Sequence, residues 1–101
     1  MFNFFGKSSG NNDELKKQIA AGAFLVDVRT PDEFKSGSAK GAVNIPLDTV
    51  MQNLKQFEGK NHIVVFCRSG NRSGQAKSIL ESNGFKNITN GGTWQDVASL
   101  V

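Results

Sequence analysis

An α/β fold is predicted, with a mainly parallel sheet and helices on both faces. Three observations predict it. Short apolar or β-branched runs alternate with stretches of helical period along the chain, and turn residues separate them. The runs are nearly continuous in apolar residues, as strands covered on both faces should be. The chain has 101 residues, 38% apolar and 21% charged, which suits one domain with one modest core. A flexible segment is expected over residues 1–11 and a single domain over 12–101.

Gly6-Lys7-Ser8-Ser9-Gly10 reads as a flexible link behind the apolar Met1-Phe2-Asn3-Phe4-Phe5. Asn12 can cap a helix from Asp13 to Ala21, with Leu15, Ile19 and Ala20 as its apolar stripe and Gly22 at the stop. Phe24 to Val28 is a short, mostly apolar strand. Thr30-Pro31-Asp32-Glu33 is a capping box with proline at the first helical position, and Gly37 ends that helix early. Ala42 to Ile45 is the next strand, closed by Pro46. Asp48 is expected to cap a helix to Phe57 that buries Val50, Met51, Leu54 and Phe57.

After the turn Gly59-Lys60-Asn61, His62 to Phe66 makes a third strand with a β-branched centre. A helix from Ser73 to Asn83 presents Ala76, Ile79 and Leu80 and stops at Gly84. Lys86 to Thr89 is the last strand, Asn90-Gly91-Gly92 a loop, and Trp94 to Leu100 a terminal helix. Ligands of open parallel sheets bind outside the carboxyl ends of the strands. Asp27 to Arg29, Asn44 to Pro46, Cys67 and Asn90 to Gly92 should therefore share one rim.

Twelve Lys and Arg against nine Asp and Glu leave a net charge of +3, with no block of like sign. That disfavours a nucleic-acid surface and suits a small anionic substrate. One cysteine excludes an intramolecular disulfide framework and, beside one histidine, speaks against a zinc site. A free thiol fits a reducing compartment, so a cytoplasmic location is expected. Met1–Phe5 is too short for a signal-peptide core, and no stretch nears the ~20 apolar residues that span a bilayer. No membrane partner is expected, and a monomer is the default.

The lone Cys67 opens the run Cys67-Arg68-Ser69-Gly70-Asn71-Arg72-Ser73, between an apolar strand and a helix. A thiol is nucleophilic only as thiolate. The positive end of a helix, loop amides turned inward, and nearby guanidinium groups all favour that anion. Gly70 and Asn71 tolerate the positive φ such a ring needs. Arg68 and Arg72 can each grip an oxyanion, and Ser69 and Ser73 offer hydroxyl donors. The plainer readings are a buried structural thiol for Cys67, solvated charges for the arginines (Arg72 bracing the loop), and a simple helix cap for Ser73.

Loop length separates two chemistries. Cysteine-dependent phosphatases place an arginine after five intervening residues; here that position is Ser73, and Arg72 comes one earlier. A ring one residue shorter cradles phosphate poorly, which argues for sulfur transfer.

Four segments, in this order and spacing, resemble single-domain rhodaneses, the thiosulfate sulfurtransferase-like family. They are Asp27 to Phe34, Gly41-Ala42-Val43-Asn44-Ile45-Pro46, Cys67 to Ser73, and Gly91-Gly92 with Trp94 nearby. The resemblance covers residues 12 to 100 and implies a five-stranded, mostly parallel sheet. It implies Cys67 as the sulfur carrier, with an active loop that closes at Arg72. It also implies a ping-pong cycle through a Cys67 persulfide, from thiosulfate or a related donor to cyanide, a thiol or a thiol-bearing protein, with no cofactor. Asp27, Arg29 and Glu33 are expected to brace the rim, with Arg29 available to pair with Glu33. His62 should lie ~17 Å from Cys67, at the far end of its strand, and is not expected to be a general base. Phe24, Phe34, Phe57, Phe66 and Trp94 read as core.

Two departures stand out. Family members usually carry Gly-His-Ile-Pro-Gly-Ala where this chain has Gly37-Ser38-Ala39-Lys40-Gly41-Ala42. Altered packing is expected there. Trp94 also follows Gly92 more closely than usual, so the pocket rim should differ. The rival readings are a non-catalytic regulatory or binding module on the same fold, and a phosphatase or arsenate reductase. The intact cysteine loop argues against the first, its length against the second.

Overall fold

The computed structural model describes residues 13–101. The flexible link, the apolar Met1–Phe5 and the Asn12 cap lie outside the described residues. Residues 13–20 form helix α1. Then follow β1 (Phe24–Asp27), α2 (Pro31–Ser36), β2 (Val43–Asn44), a 3-10 segment (Leu47–Phe57), β3 (Ile63–Cys67), α3 (Asn71–Ser82), β4 (Ile88–Thr93) and α4 (Trp94–Ala98). All strand pairs are parallel, in the order β2-β1-β3-β4.

The described residues hold four strands, not five. The four extended apolar runs visible in the sequence each become one, and the segments between them are helices and short turns that leave no further ladder partner.

β3 is the spine. Every residue from Ile63 to Cys67 is buried, because β1 and β4 flank it and helices cover both its faces. Successive side chains point to opposite faces. Ile63, Val65 and Cys67 join one cluster with Val26, Val28, Val50, Phe57, Ala76 and Leu80. Val64 and Phe66 join another with Leu15, Leu25, Ala39 and Val97. Each buried aliphatic side chain of this kind contributes roughly 1.5–3 kcal/mol. Cys67 therefore shares the face covered by α3 and the 3-10 segment. Asp27, two residues after Leu25 and on its face, belongs to the opposite side.

Several element boundaries move. The Leu47–Phe57 segment is 3-10 rather than α, follows Pro46, has no side-chain cap from Asp48, and kinks at Asn53 (φ −123°, ψ 25°). With the helical period broken, Met51 turns outward and is 54% exposed, while Val50 and Phe57 stay buried. Ala20 is likewise exposed, although Leu15 is buried and Ile19 packs beside it. Phe34 is only half-buried, because α2 is short and buries no residue fully. α4 ends at Ala98 rather than Leu100.

The last strand starts later and runs through the expected loop. Its register against β3 slips by one, with Val65 opposite Asn90 and Phe66 opposite Gly92, so Gly91 is the extra residue of a bulge. A Cβ on Gly91 would sit 2.9 Å from Val97 Cγ2 and 3.0 Å from Val64 Cγ1. The bulge lets β4 continue past the Cys67 loop.

Candidate active site

Cys67 ends β3 and is fully buried, beneath a loop whose Arg68, Ser69 and Asn71 are exposed. α3 begins at Asn71, two residues before the expected start, with Gly70 at the cap in the left-handed conformation (φ 96°). Gly70 has no side chain to cap the helix, and its first amides lack intrahelical partners. The sulfur takes that role. The Gly70 N–H donates to Cys67 Sγ at 3.0 Å and the Ser73 N–H at 3.4 Å. Ser73, itself buried, also places its hydroxyl 3.4 Å from the sulfur.

Burial pushes the Cys67 thiol up. Hydrogen bonds from the Ser73, Ser69 and Gly70 amides, joined by the Ser73 hydroxyl when it turns its proton from Asn90 to the sulfur, outweigh it and hold the thiol below its ordinary value. These donors are neutral dipoles fixed by the backbone, so they favour the anion without a counter-ion.

One arginine expectation is revised, and the bracing reading of Arg72 finds a partner. Arg72 forks onto Glu33, at 2.8 and 3.0 Å. Arg29 pairs with Asp27, not with Glu33. The geometry of α2 explains the exchange. Its capping box aims Glu33 at Thr30 (3.0 Å to the Thr30 N–H), and the carboxylate then faces the start of α3. Arg72 and the Thr30 amide hold the Glu33 carboxyl down at about 2. Helix α2 is thereby tied to the Cys67 loop by one ion pair. Arg68 is the remaining exposed arginine of that loop.

Asp27 is wholly buried and saturated. It accepts from the Arg29 backbone N–H (3.0 Å), Arg29 Nε (2.9 and 3.0 Å) and the Ser38 hydroxyl (2.7 Å). Arg29 also donates to the Gly37 carbonyl at 2.6 Å and lies 5.1 Å from the Trp94 ring centroid. Ser38 occupies the position where the resembling family usually carries histidine. Its hydroxyl supplies a donor to Asp27, which is how the altered segment still packs. Trp94 stands at this rim, partly buried, against Gly37.

Sequence patterns alone do not single out Asn90, yet it ties three parts of the site together. Its Nδ2 donates to the Gly70 carbonyl at 3.0 Å, and its Oδ1 accepts from the Ser73 hydroxyl at 2.6 Å and the Gly92 N–H at 3.0 Å. The available signal was its place at the strand-end rim, in the Asn90-Gly91-Gly92 run. His62 lies just before β3, at the other end from Cys67, and bonds Thr89 at 2.9 Å.

Among the described residues, cavities open at both ends of the sheet. One of about 240 Å³ flanks the loop and is lined by Val28, Arg29, Thr30, Pro46, Leu47, Asp48 and Arg72. The larger, about 600 Å³, lies at the amino end of the sheet near Lys17, Lys60 and His62, a strand's length from the sulfur. Size does not make it the reaction site, since Cys67 lies at the opposite end of β3 and does not line it. No helix of the described residues is long and apolar enough to cross a membrane.

Residues 11–93 match the family model for the rhodanese-like domain. The chain is similar to thiosulfate sulfurtransferase PspE of Escherichia coli K12, with 37% identity over 82 residues, 79% of each chain. It resembles a solved rhodanese with anions from E. coli (TM-score 0.69, 33% identity, 75% of this chain and 92% of that one). It also resembles the human single-domain sulfurtransferase TSTD1 (TM-score 0.71, 28% identity, 83% and 88%). Match, fold and strand-end cysteine agree: the chain belongs to the rhodanese-like domain family.

Proposed function

We propose that this chain is a sulfurtransferase that carries a sulfane sulfur as a persulfide on Cys67. The observation that supports it best is the convergence of the Gly70 and Ser73 amides on Sγ, with the thiol held below its ordinary value. The thiolate attacks the outer sulfur of thiosulfate. An S–S bond forms to Cys67 as the donor's S–S bond breaks, and sulfite leaves with the electron pair. The terminal sulfur keeps a negative charge, which the Ser69, Gly70 and Ser73 amides are proposed to stabilise. Cyanide or a thiolate then attacks that sulfur and restores the Cys67 thiolate, in a ping-pong cycle.

Arg68 is the loop cation proposed to meet the incoming anion, and Ser69 and Asn71 line the same exposed turn. Arg72, Glu33, Asp27 and Arg29 hold the loop and its rim in place. The similarity to a named thiosulfate sulfurtransferase and to a rhodanese solved with anions supports a small anionic donor. The chain is proposed to act as a monomer, in a reducing compartment such as the cytoplasm, on thiosulfate or a related donor, with a thiol or a thiol-bearing protein as acceptor.

The test is thiosulfate:cyanide sulfurtransferase activity on wild type and Cys67→Ser, with intact mass after thiosulfate alone. Turnover and one added sulfur, both lost in the variant, are expected. No turnover and no added sulfur would sink the reading, and hydrolysis of an aryl phosphate would replace it with a phosphatase.

A further inference from the structure

The Asn90 amide has only one workable orientation. Gly92 presents an N–H and Gly70 a carbonyl, so Oδ1 must face Gly92 and Nδ2 must face Gly70. The atom facing Ser73 is therefore an acceptor that cannot donate. Ser73 has one hydroxyl proton and two acceptors within reach, Asn90 Oδ1 at 2.6 Å and Cys67 Sγ at 3.4 Å. The nearer acceptor takes it. Ser73 Oγ then turns lone pairs toward the sulfur, an arrangement that suits an S–H donor and opposes a thiolate. To stabilise the thiolate, Ser73 must swing its proton away from Asn90.

We infer that Asn90 is a positioning residue that acts through Ser73, holding its hydroxyl as an acceptor for the resting Cys67 thiol and releasing it as a donor when the sulfur becomes an anion. The idea rests on Cys67 being the reacting group, as proposed above, but not on what that group carries. Sulfur transfer visits the anion repeatedly, as thiolate and persulfide, and each visit calls for the swing. Asn90 keeps its Gly92 partner throughout, so the hydroxyl can leave without stranding Oδ1.

The charged groups around the sulfur are few. Arg72 of α3 is the cation coupled to it, and is committed to Glu33 of α2. At the end of β1, Asp27 is closed on Arg29, two residues further along. Arg68 is the next residue along the loop, β4 carries no ionisable side chain, and Asp96 is the carboxylate of α4.

The test is the pH profile of iodoacetamide alkylation. Cys67 is the sole cysteine, so intact mass reports one site. Wild type, Asn90→Ala, Ser73→Ala and the double variant are compared. Asn90 is exposed, so its truncation leaves the core untouched. Thermal melts of the four proteins verify folding. Freed from Asn90, the Ser73 hydroxyl donates to the sulfur. Alkylation of Asn90→Ala below the thiol midpoint should rise roughly three- to tenfold, the scale of one redirected hydrogen bond. In the Ser73→Ala background the same change should do nothing. Asn90→Asp, whose carboxylate grips the hydroxyl harder, should slow alkylation more with Ser73 present than without it. Equal shifts in both backgrounds, no shift, or slower alkylation in Asn90→Ala would overturn the inference and leave Asn90 as a brace of Gly70. A wild-type thiol inert to the reagent at every pH would overturn it too. Because no thiosulfate is involved, a failed sulfurtransferase assay would leave this result standing on its own.

Discussion

Asp27 and Cys67 end neighbouring parallel strands, both fully buried, both able to carry negative charge. Their surroundings differ in kind. Asp27 faces the α1 and α4 side, where Arg29 supplies a formal counter-charge and Ser38 a further donor. Cys67 faces the α3 side, where the donors nearest the sulfur are backbone amides of Gly70 and Ser73. A carboxylate closed by a guanidinium is a structural tie. It is costly to break and offers nothing to exchange. A sulfur held by amides is stabilised as an anion but remains able to form a new bond. The difference teaches that burial of an ionisable group does not mark a reactive one; the kind of partner does.

The sharpest way to break that comparison is to swap the losses. Cys67→Ser should abolish sulfur transfer, by roughly a thousandfold or more, while urea unfolding stays close to wild type. If the variant keeps turnover, the reactive strand end has been misassigned. Asp27→Ala should do the reverse. It leaves Arg29 buried without its partner, which costs about 3–5 kcal/mol, read as a lower urea midpoint. Activity should then follow only the folded fraction. A variant as stable as wild type would remove the contrast.

A smaller effect tests the scaffold that carries the Cys67 side. Gly91→Ala puts a Cβ 2.9 Å from Val97 Cγ2 and 3.0 Å from Val64 Cγ1, both on stiff, buried side chains. A loss of about 1–3 kcal/mol is expected, visible in the melting temperature, because β4 must shift at its bulge. An unchanged melt would mean that the bulge tolerates a side chain and does not set the position of Asn90.

The smallest effect lies in the tie between the Cys67 loop and α2. Glu33 sits at about 2, below its ordinary 4.5. A carboxyl lowered on folding stabilises the native state above its unfolded value and loses that stabilisation as pH falls. Wild type should therefore lose stability relative to Glu33→Gln between pH 4.5 and 2. Above that window the two should run parallel, at most ~1 kcal/mol apart, since the pair is partly solvated. Parallel curves down to pH 2 would show that the ion pair contributes nothing to the loop.

Much of this was legible in one dimension. Alternating apolar runs and helical stretches announced a parallel α/β sheet, and Thr30 to Glu33 announced its capping box, which the structure shows on both sides. Cys67 stood out because a strand, a glycine loop and a helix start meet there. Pairing was not legible. Arg29 and Arg72 both lie within reach of carboxylates, and which takes Asp27 and which takes Glu33 depends on how α2 crosses the rim. The bulge at Gly91 was hidden as well, because a glycine pair reads as loop whether or not it is hydrogen-bonded to a neighbouring strand.

By itself, then, the order of residues determined the fold class, the strand-end rim and the one thiol on it. These depend on local periodicity and on residue chemistry, which neighbours in the chain dictate. Only the tertiary structure decided which donors face the sulfur, that Arg72 forks onto Glu33, that Ser38 donates to Asp27, and that Asn90 accepts from the Ser73 hydroxyl. Those facts join residues far apart in sequence, and a hydrogen bond is set by distance and direction, which no spacing along the chain can fix.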